Sequence, residues 1–140
     1  MTHLRPDLPA LDRIDTPALI VDAVALHSNI ERMAQTAATH KVALRPHAKT
    51  HKSPAIARRQ LAAGAVGICC ATLLEAEAMA REGITGLLVT SPVVGRDRAA
   101  RVAALNRVSP LTVVVDHRDQ LDSLKTAIVA GDPTDRKSVV

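Results

Sequence analysis

The sequence predicts an α/β fold in which a parallel sheet is covered by helices. Three observations carry that expectation. Apolar runs of about four to six residues alternate with amphipathic stretches of about ten or more, in units of about 20 to 25 residues. The short runs are apolar at consecutive positions, as in strands buried on both faces. The helical stretches open on capping residues and close on glycine or basic residues. No internal sequence repeat is evident.

Residues 1–14 contain prolines and polar residues and read as an extended lead-in. ALIV (18–21) reads as a strand, and Asp22 as the N-cap of the next helix. Leu26, Ile30, Met33 and Ala37 give that helix one apolar face, and His40 and Lys41 suit its C-terminus. VALRPHA (42–48) reads as a strand ending at Lys49. Ser53-Pro54 pairs a cap with proline at the first helical position, so a helix is expected from there to Ala63, stopped by Gly64. VGICCA (66–71) is the next strand, and Thr72 with Glu75 reads as a capping box for a helix ending at Gly83. GLLVTS (86–91) is a strand and Arg96–Arg107 a helix. LTVVVD (111–116) is a strand with Asp116 as the cap of a last helix, to about Ala130 with Gly131 after it.

Two architectures use such a pattern, an open doubly wound sheet and a (β/α)8 barrel. Neither is obviously complete, because a barrel takes roughly 250 residues and the chain has 140. No G-x-G-x-x-G or Walker loop follows a strand, which weakens a nucleotide-binding open sheet.

Composition narrows the function classes. The balance of 47% hydrophobic and 23% charged residues is globular. A net charge of +4, spread along the chain with no aromatic residue, argues against nucleic-acid binding. No stretch approaches the roughly 20 apolar residues of a membrane span, and the N-terminus lacks the apolar core of a secretory signal. Two adjacent cysteines, Cys69 and Cys70, give no disulfide framework, and a reducing cytoplasm fits. Without aromatics the core must come from Ala, Val, Leu, Ile and Met.

LRPHAKTHKS (44–53) concentrates proton-handling chemistry: Arg45, His47, Lys49, His51 and Lys52 within ten residues. Strand alternation puts Arg45, His47 and Lys49 on one face and Leu44, Pro46 and Ala48 on the other. In a barrel that places a lysine at the C-terminal mouth, where barrel enzymes do chemistry. Neighbouring cations and removal from water both favour a lysine's neutral amine, the form that attacks a carbonyl. The spacing alone favours solvated charges at a strand end.

DTPALIVD (15–22), LRPHAKTHKSPAIARRQLAAGAVGICCATLLEAEAMA (44–80) and GITGLLVTSPVVG (83–95) resemble the N-terminal part of the D-threonine aldolase and D-serine dehydratase-like family. These are pyridoxal-phosphate enzymes of the alanine racemase (fold III) type. The resemblance runs to about Val129, and its R-P-H-x-K-T-H-K motif is fairly specific to this group. It implies the N-terminal half of an alanine racemase-type (β/α)8 barrel, truncated before closure, over residues 15–134. It also implies an unclosed sheet with unpaired edges. By match, Lys49 is the lysine joined to pyridoxal 5'-phosphate, and Lys52 has no assigned role. His47 is a candidate support for the cofactor.

The implied activity is a lyase acting on β-hydroxy D-amino acids, of the D-threonine aldolase type, releasing glycine and acetaldehyde from D-threonine. D-serine dehydratase, 3-hydroxy-D-aspartate aldolase and a non-catalytic pyridoxal-phosphate-binding barrel are the alternatives. A divalent metal (Mn, Mg or Zn) belongs to the full-length parent only, since its His and Asp or Cys pair lies near the family's C-terminus. No metal ligand is assigned within these residues. A small D-amino acid as substrate and a homodimeric parent complete the implication, with no nucleic-acid or membrane partner.

The last six residues, DRKSVV (135–140), match what a sequencing-library adapter encodes in frame and read as a non-native tail. The expectation is therefore a front portion without useful turnover of its own. The remaining candidates have ordinary readings. His47 and His51 flank the lysine, but no carboxylate neighbours them to complete a metal site. Cys69 and Cys70 should point to opposite sides of a buried strand. Glu75, Glu77 and Asp97 suit helix first turns, Arg58-Arg59 a solvated helix face, and Asp116-His117 a helix start.

Overall fold

The computed structural model describes residues 13–131. The expected tail over 135–140, and the lead-in except its last two residues, lie outside the described residues.

Helix α1 spans Ala23–Thr39, and Asp22 caps it as expected, its Oδ1 accepting from the Val24 and Ala25 amides at 2.9 Å each. ALIV, expected as a strand, joins no ladder among the described residues; Leu19 is 93% exposed and Ile20 and Val21 are exposed beside it. Strand propensity reflects a fit to a half-buried pleated surface, and among the described residues no such surface meets this run.

The segment 42–47 is extended and lies parallel to strand β1 (Ile68–Cys70) without forming a regular ladder. Its Leu44 carbonyl accepts from Val66 (2.9 Å), its Pro46 carbonyl from Cys69 (2.8 Å), and His47 bridges Cys69. Pro46 has no amide to return, which limits the pairing to carbonyl acceptance there. The expected strand thus ends at His47. Ala48–Thr50 forms a 3-10 turn, so Lys49 leaves the strand alternation rather than continuing it.

Strands β2 (Leu87–Val89) and β3 (Leu111–Val113) continue the sheet, every pairing parallel and in the order β1-β2-β3. With segment 42–47 beside β1, strand positions follow chain order without the reversal of a doubly wound sheet. Sequential parallel order is that of a barrel wall. The sheet here is open.

Helices α2 (Pro54–Ala62), α3 (Leu73–Arg81), α4 (Arg96–Val108) and α5 (Arg118–Gly131) cover one face. Ser53 caps α2 and Thr72 caps α3. The helix side of the strands carries Ile68, Cys70, Leu87 and Val89, all at most 1% exposed, against Ala57, Ala76, Met79, Ile84 and Val102. The register aligns Cys69, Leu88 and Thr112 on the other, more open face. His47 pairs with Cys69 and so joins that row.

Two expected caps differ. Glu75 does not reach back to Thr72; its Oε2 accepts from the Ala71 amide at 2.8 Å. At α5 the His117 ring accepts from the Asp119 amide (3.2 Å), while Asp116 is held by the Gln120 side chain at 2.7 Å. His117, the residue adjoining the helix, thus takes the capping role expected of Asp116.

Gly67 and Gly86 permit the closest approach between strands: a Cβ on Gly67 would lie 2.0 Å from the Gly86 carbonyl oxygen. That carbonyl accepts both the Ile68 amide (3.1 Å) and Arg45 Nη1 (2.9 Å). Arg45 is therefore a structural cation tying the first segment to the entry of β2.

Candidate active site

The C-terminal ends of segment 42–47, β1 and β2 converge around the 3-10 turn. His47 caps that turn, its Nδ1 accepting from the Lys49 amide at 3.2 Å. Its Nε2 meets Thr90 Oγ1 at 3.2 Å, and Thr90 Oγ1 donates to the Cys70 carbonyl at 3.2 Å. Thr50 Oγ1 donates to the His47 carbonyl at 3.3 Å, closing the turn. Lys49 is exposed at the strand mouth, and among the described residues its amine has no ion-pair or hydrogen-bond partner.

The neighbouring cations divide. Lys52, with φ of 48°, turns toward α3, where its Nζ lies 3.7 Å from Glu75 Oε1. That carboxylate is only 18% exposed and also holds the Ala71 amide, so one side chain ties the basic loop to the β1–α3 junction. His51 turns to the opposite side from His47: it lines an apolar cavity of about 280 Å³ with Leu26, Met33, Leu44, Pro46 and Gln60, and Lys49 is not among the lining residues. Burial holds His51 below the ordinary histidine range, opposed by the nearby Gln60 side chain and the Ser53 amide. His51 Nδ1 accepts from Ser53 at 3.0 Å, whereas Nε2 is buried without hydrogen-bond geometry to any described group. The two histidines therefore do not form a metal pair. Among the described residues no group of three His, Cys, Asp or Glu side chains could hold a metal ion.

Cys69 and Cys70 point to opposite faces as expected. Burial raises the Cys69 thiol despite nearby Arg45. Burial, with the Glu75 and Cys69 charges, pushes Cys70 up to about 11. Neither is poised as a nucleophile. Glu77 and Arg58 have more specific partners than a helix dipole or solvent. Glu77 receives Arg101 through two bonds (2.8 and 2.7 Å) between α3 and α4, and Arg58 reaches the Glu82 carbonyl and carboxylate at 3.1 Å.

Sequence reasoning missed Thr90 and the Lys52–Glu75 link. Thr90 sits two residues beyond Leu88 on the row facing the mouth; its position after the strand LLV was the available signal.

Residues 21–136 match the family model for the alanine racemase N-terminal domain. The chain belongs to that family. It is 43% identical over 119 residues to a D-threonine aldolase from an Arthrobacter species, covering 85% of this chain and 31% of that protein. It is 40% identical over 126 residues to a 3-hydroxy-D-aspartate aldolase from Paracoccus denitrificans, covering 87% and 33%. Its fold superposes on the crystal structure of D-threonine aldolase from Filomicrobium marinum with a TM-score of 0.83 at 47% identity, over 86% of this chain and 32% of that one. D-threo-3-hydroxyaspartate dehydratase from Delftia sp. HT23 superposes with a TM-score of 0.75 at 34% identity, over 86% and 32%. The chain thus spans about a third of the length of these relatives.

Proposed function

We propose that this alanine racemase-type chain is the lysine-bearing part of a pyridoxal-phosphate-dependent lyase acting on β-hydroxy D-amino acids, of the D-threonine aldolase type. The observation carrying the reading is the placement of Lys49: an exposed amine, unpartnered among the described residues, on a turn at the C-terminal mouth of the first barrel segment, within the R-P-H-x-K-T-H-K motif. The D-threonine aldolases among its relatives support the substrate class.

The donor set fits the aldehyde end of pyridoxal phosphate. A primary amine forms an imine most readily when no carboxylate holds its proton; here the nearby carboxylate, Glu75, pairs with Lys52 instead. Lys49 would hold the cofactor covalently and His47 would support it from the same strand end. When bound, the cofactor supplies an electron sink for charge developing at the substrate Cα. Arg45 is committed to the Gly86 carbonyl and shapes the wall rather than clamping substrate. Segment 42–47 and the ends of β1 and β2 give the rigid rim from which the Lys49 amine reaches the mouth.

A divalent metal belongs to the same reading for the complete enzyme, through residues outside this chain. So does a homodimer. A cytoplasmic location fits two free thiols, Cys69 and Cys70.

The test is product analysis with enzyme expressed from the complete gene. D-threonine should yield glycine and acetaldehyde, L-threonine should not react, and Lys49→Ala should abolish the reaction. Ammonia and a keto acid as the only products would replace the aldolase by a dehydratase. Undiminished activity in Lys49→Ala would overturn the assignment of the lysine.

A further inference from the structure

We infer that Thr90 is a positioning residue that sets the histidine next to the reactive lysine in a single tautomer, and through it fixes the turn that presents Lys49. The inference rests on the reading of Lys49 given above, but its geometry stands independently.

Four groups form one chain across three strand positions. The Lys49 amide meets His47 Nδ1 at 3.2 Å, His47 Nε2 meets Thr90 Oγ1 at 3.2 Å, and Thr90 Oγ1 meets the Cys70 carbonyl at 3.2 Å. Both ends of this chain have a fixed polarity. A backbone amide only donates, so Nδ1 must present a lone pair and the ring proton must sit on Nε2. A carbonyl only accepts, so the Thr90 hydroxyl donates to Cys70 and has only its lone pairs to offer His47. Each argument alone requires Nε2–H, and the two agree.

The consequence lies in the turn. Lys49 is the second residue of Ala48–Thr50, and the His47 ring accepts the amide of that residue. A ring free to rotate or change tautomer would lose that bond, and the turn would be left to Thr50 Oγ1 on the His47 carbonyl and the Ala48 carbonyl with the His51 and Lys52 amides. Thr90 lies 43 residues further along the chain and belongs to the end of β2, so the turn's conformation depends on the sheet being assembled. The amine that must meet an aldehyde is thereby aimed by a neighbouring strand. Glu75 and Lys52 fix the far end of the same loop.

The experiment combines two readouts on the full chain. The first needs no cofactor: nitrogen-15 NMR of the His47 ring and hydrogen exchange of the Lys49 amide. The wild type should show the proton on Nε2. Thr90→Val, close to isosteric, should mix the tautomers and speed Lys49 amide exchange about fivefold, the factor that one net hydrogen bond is worth. Thr90→Ser, which keeps the hydroxyl, should restore both. The second readout is the rate at which Lys49 is captured by pyridoxal phosphate and trapped by borohydride; it should fall by a similar factor in Thr90→Val and recover in Thr90→Ser.

A proton on Nδ1 in the wild type overturns the inference even where Thr90→Val fails to fold. So does a His47 spectrum unchanged by Thr90→Val, or a Thr90→Ser variant that behaves as Thr90→Val. Absence of capture in the wild type with the expected tautomer pattern would instead sink the cofactor reading and uphold the positioning role.

Discussion

Replacing Gly67 by alanine should damage the wall of the site more than any exposed glycine substitution. The new Cβ would stand 2.0 Å from the Gly86 carbonyl oxygen and 2.9 Å from its carbon, with Arg45 Cζ at 3.2 Å. Backbone cannot move aside as a flexible side chain can, so the strands must separate locally. Separation removes the Ile68 amide and the Arg45 guanidinium from the Gly86 carbonyl, bonds of 3.1 and 2.9 Å. A neutral hydrogen bond contributes about 1 kcal/mol and a charged one about 2, and overpacking adds about 1 to 3. The expected loss is about 4 to 6 kcal/mol, a large share of the roughly 5 to 15 kcal/mol of a typical domain. Gly83→Ala is the control, because Gly83 has φ of 75° but nothing within 4 Å of a new Cβ. It should cost only the left-handed strain of about 1 to 2 kcal/mol. Urea unfolding followed by circular dichroism measures both. Equal losses in the two variants would refute the argument that strand approach, rather than backbone conformation, requires glycine at 67.

Three further outcomes follow from titratable groups. Cys70, pushed up to about 11 from 9.0, favours the protonated folded state, so its contribution is intact below about pH 9 and is lost as pH rises toward 11; Cys70→Ala should flatten the alkaline limb of a stability-against-pH curve, and an unchanged limb would contradict this. His51 is held below its ordinary 6.5 by burial, so its contribution is present above that value and lost as pH falls through the lowered one. His51→Asn should reduce acid sensitivity in thermal unfolding near that range, and equal sensitivity would count against a buried neutral ring. Glu77 is lowered mainly by its hydrogen bond from Arg101, so the α3–α4 tie is present above 4.5 and weakens as pH falls through the lowered value; Glu77→Gln should abolish that acid step, and its persistence would assign the step to another carboxylate.

The legibility of the fold followed local chemistry. Asp22, Ser53 and Thr72 marked three helix starts because a cap bonds to amides two or three residues away. Ile68, Cys70, Leu87 and Val89 were legible as core because consecutive apolar residues require burial. ALIV was not, because an apolar run becomes a strand only where another strand meets it, and sequence pattern does not reveal the partner. The motif singled out Lys49, but strand alternation misplaced its backbone, since the turn arises from a capping histidine that a period-two reading ignores. Arg45 with Gly86, Lys52 with Glu75 and His47 with Thr90 are pairs separated by 41, 23 and 43 positions, formed only when the sheet assembles. Tertiary pairs of that kind leave no local spacing to read.

The central claim is that Lys49 is the residue that takes pyridoxal phosphate. The most direct measurement is peptide mapping after incubation with pyridoxal phosphate at low excess and reduction with borohydride. The account predicts one dominant phosphopyridoxyl label, on the peptide carrying Lys49 and lost in Lys49→Ala. A label on Lys52, or one spread over the lysines without preference and unchanged in Lys49→Ala, would contradict it.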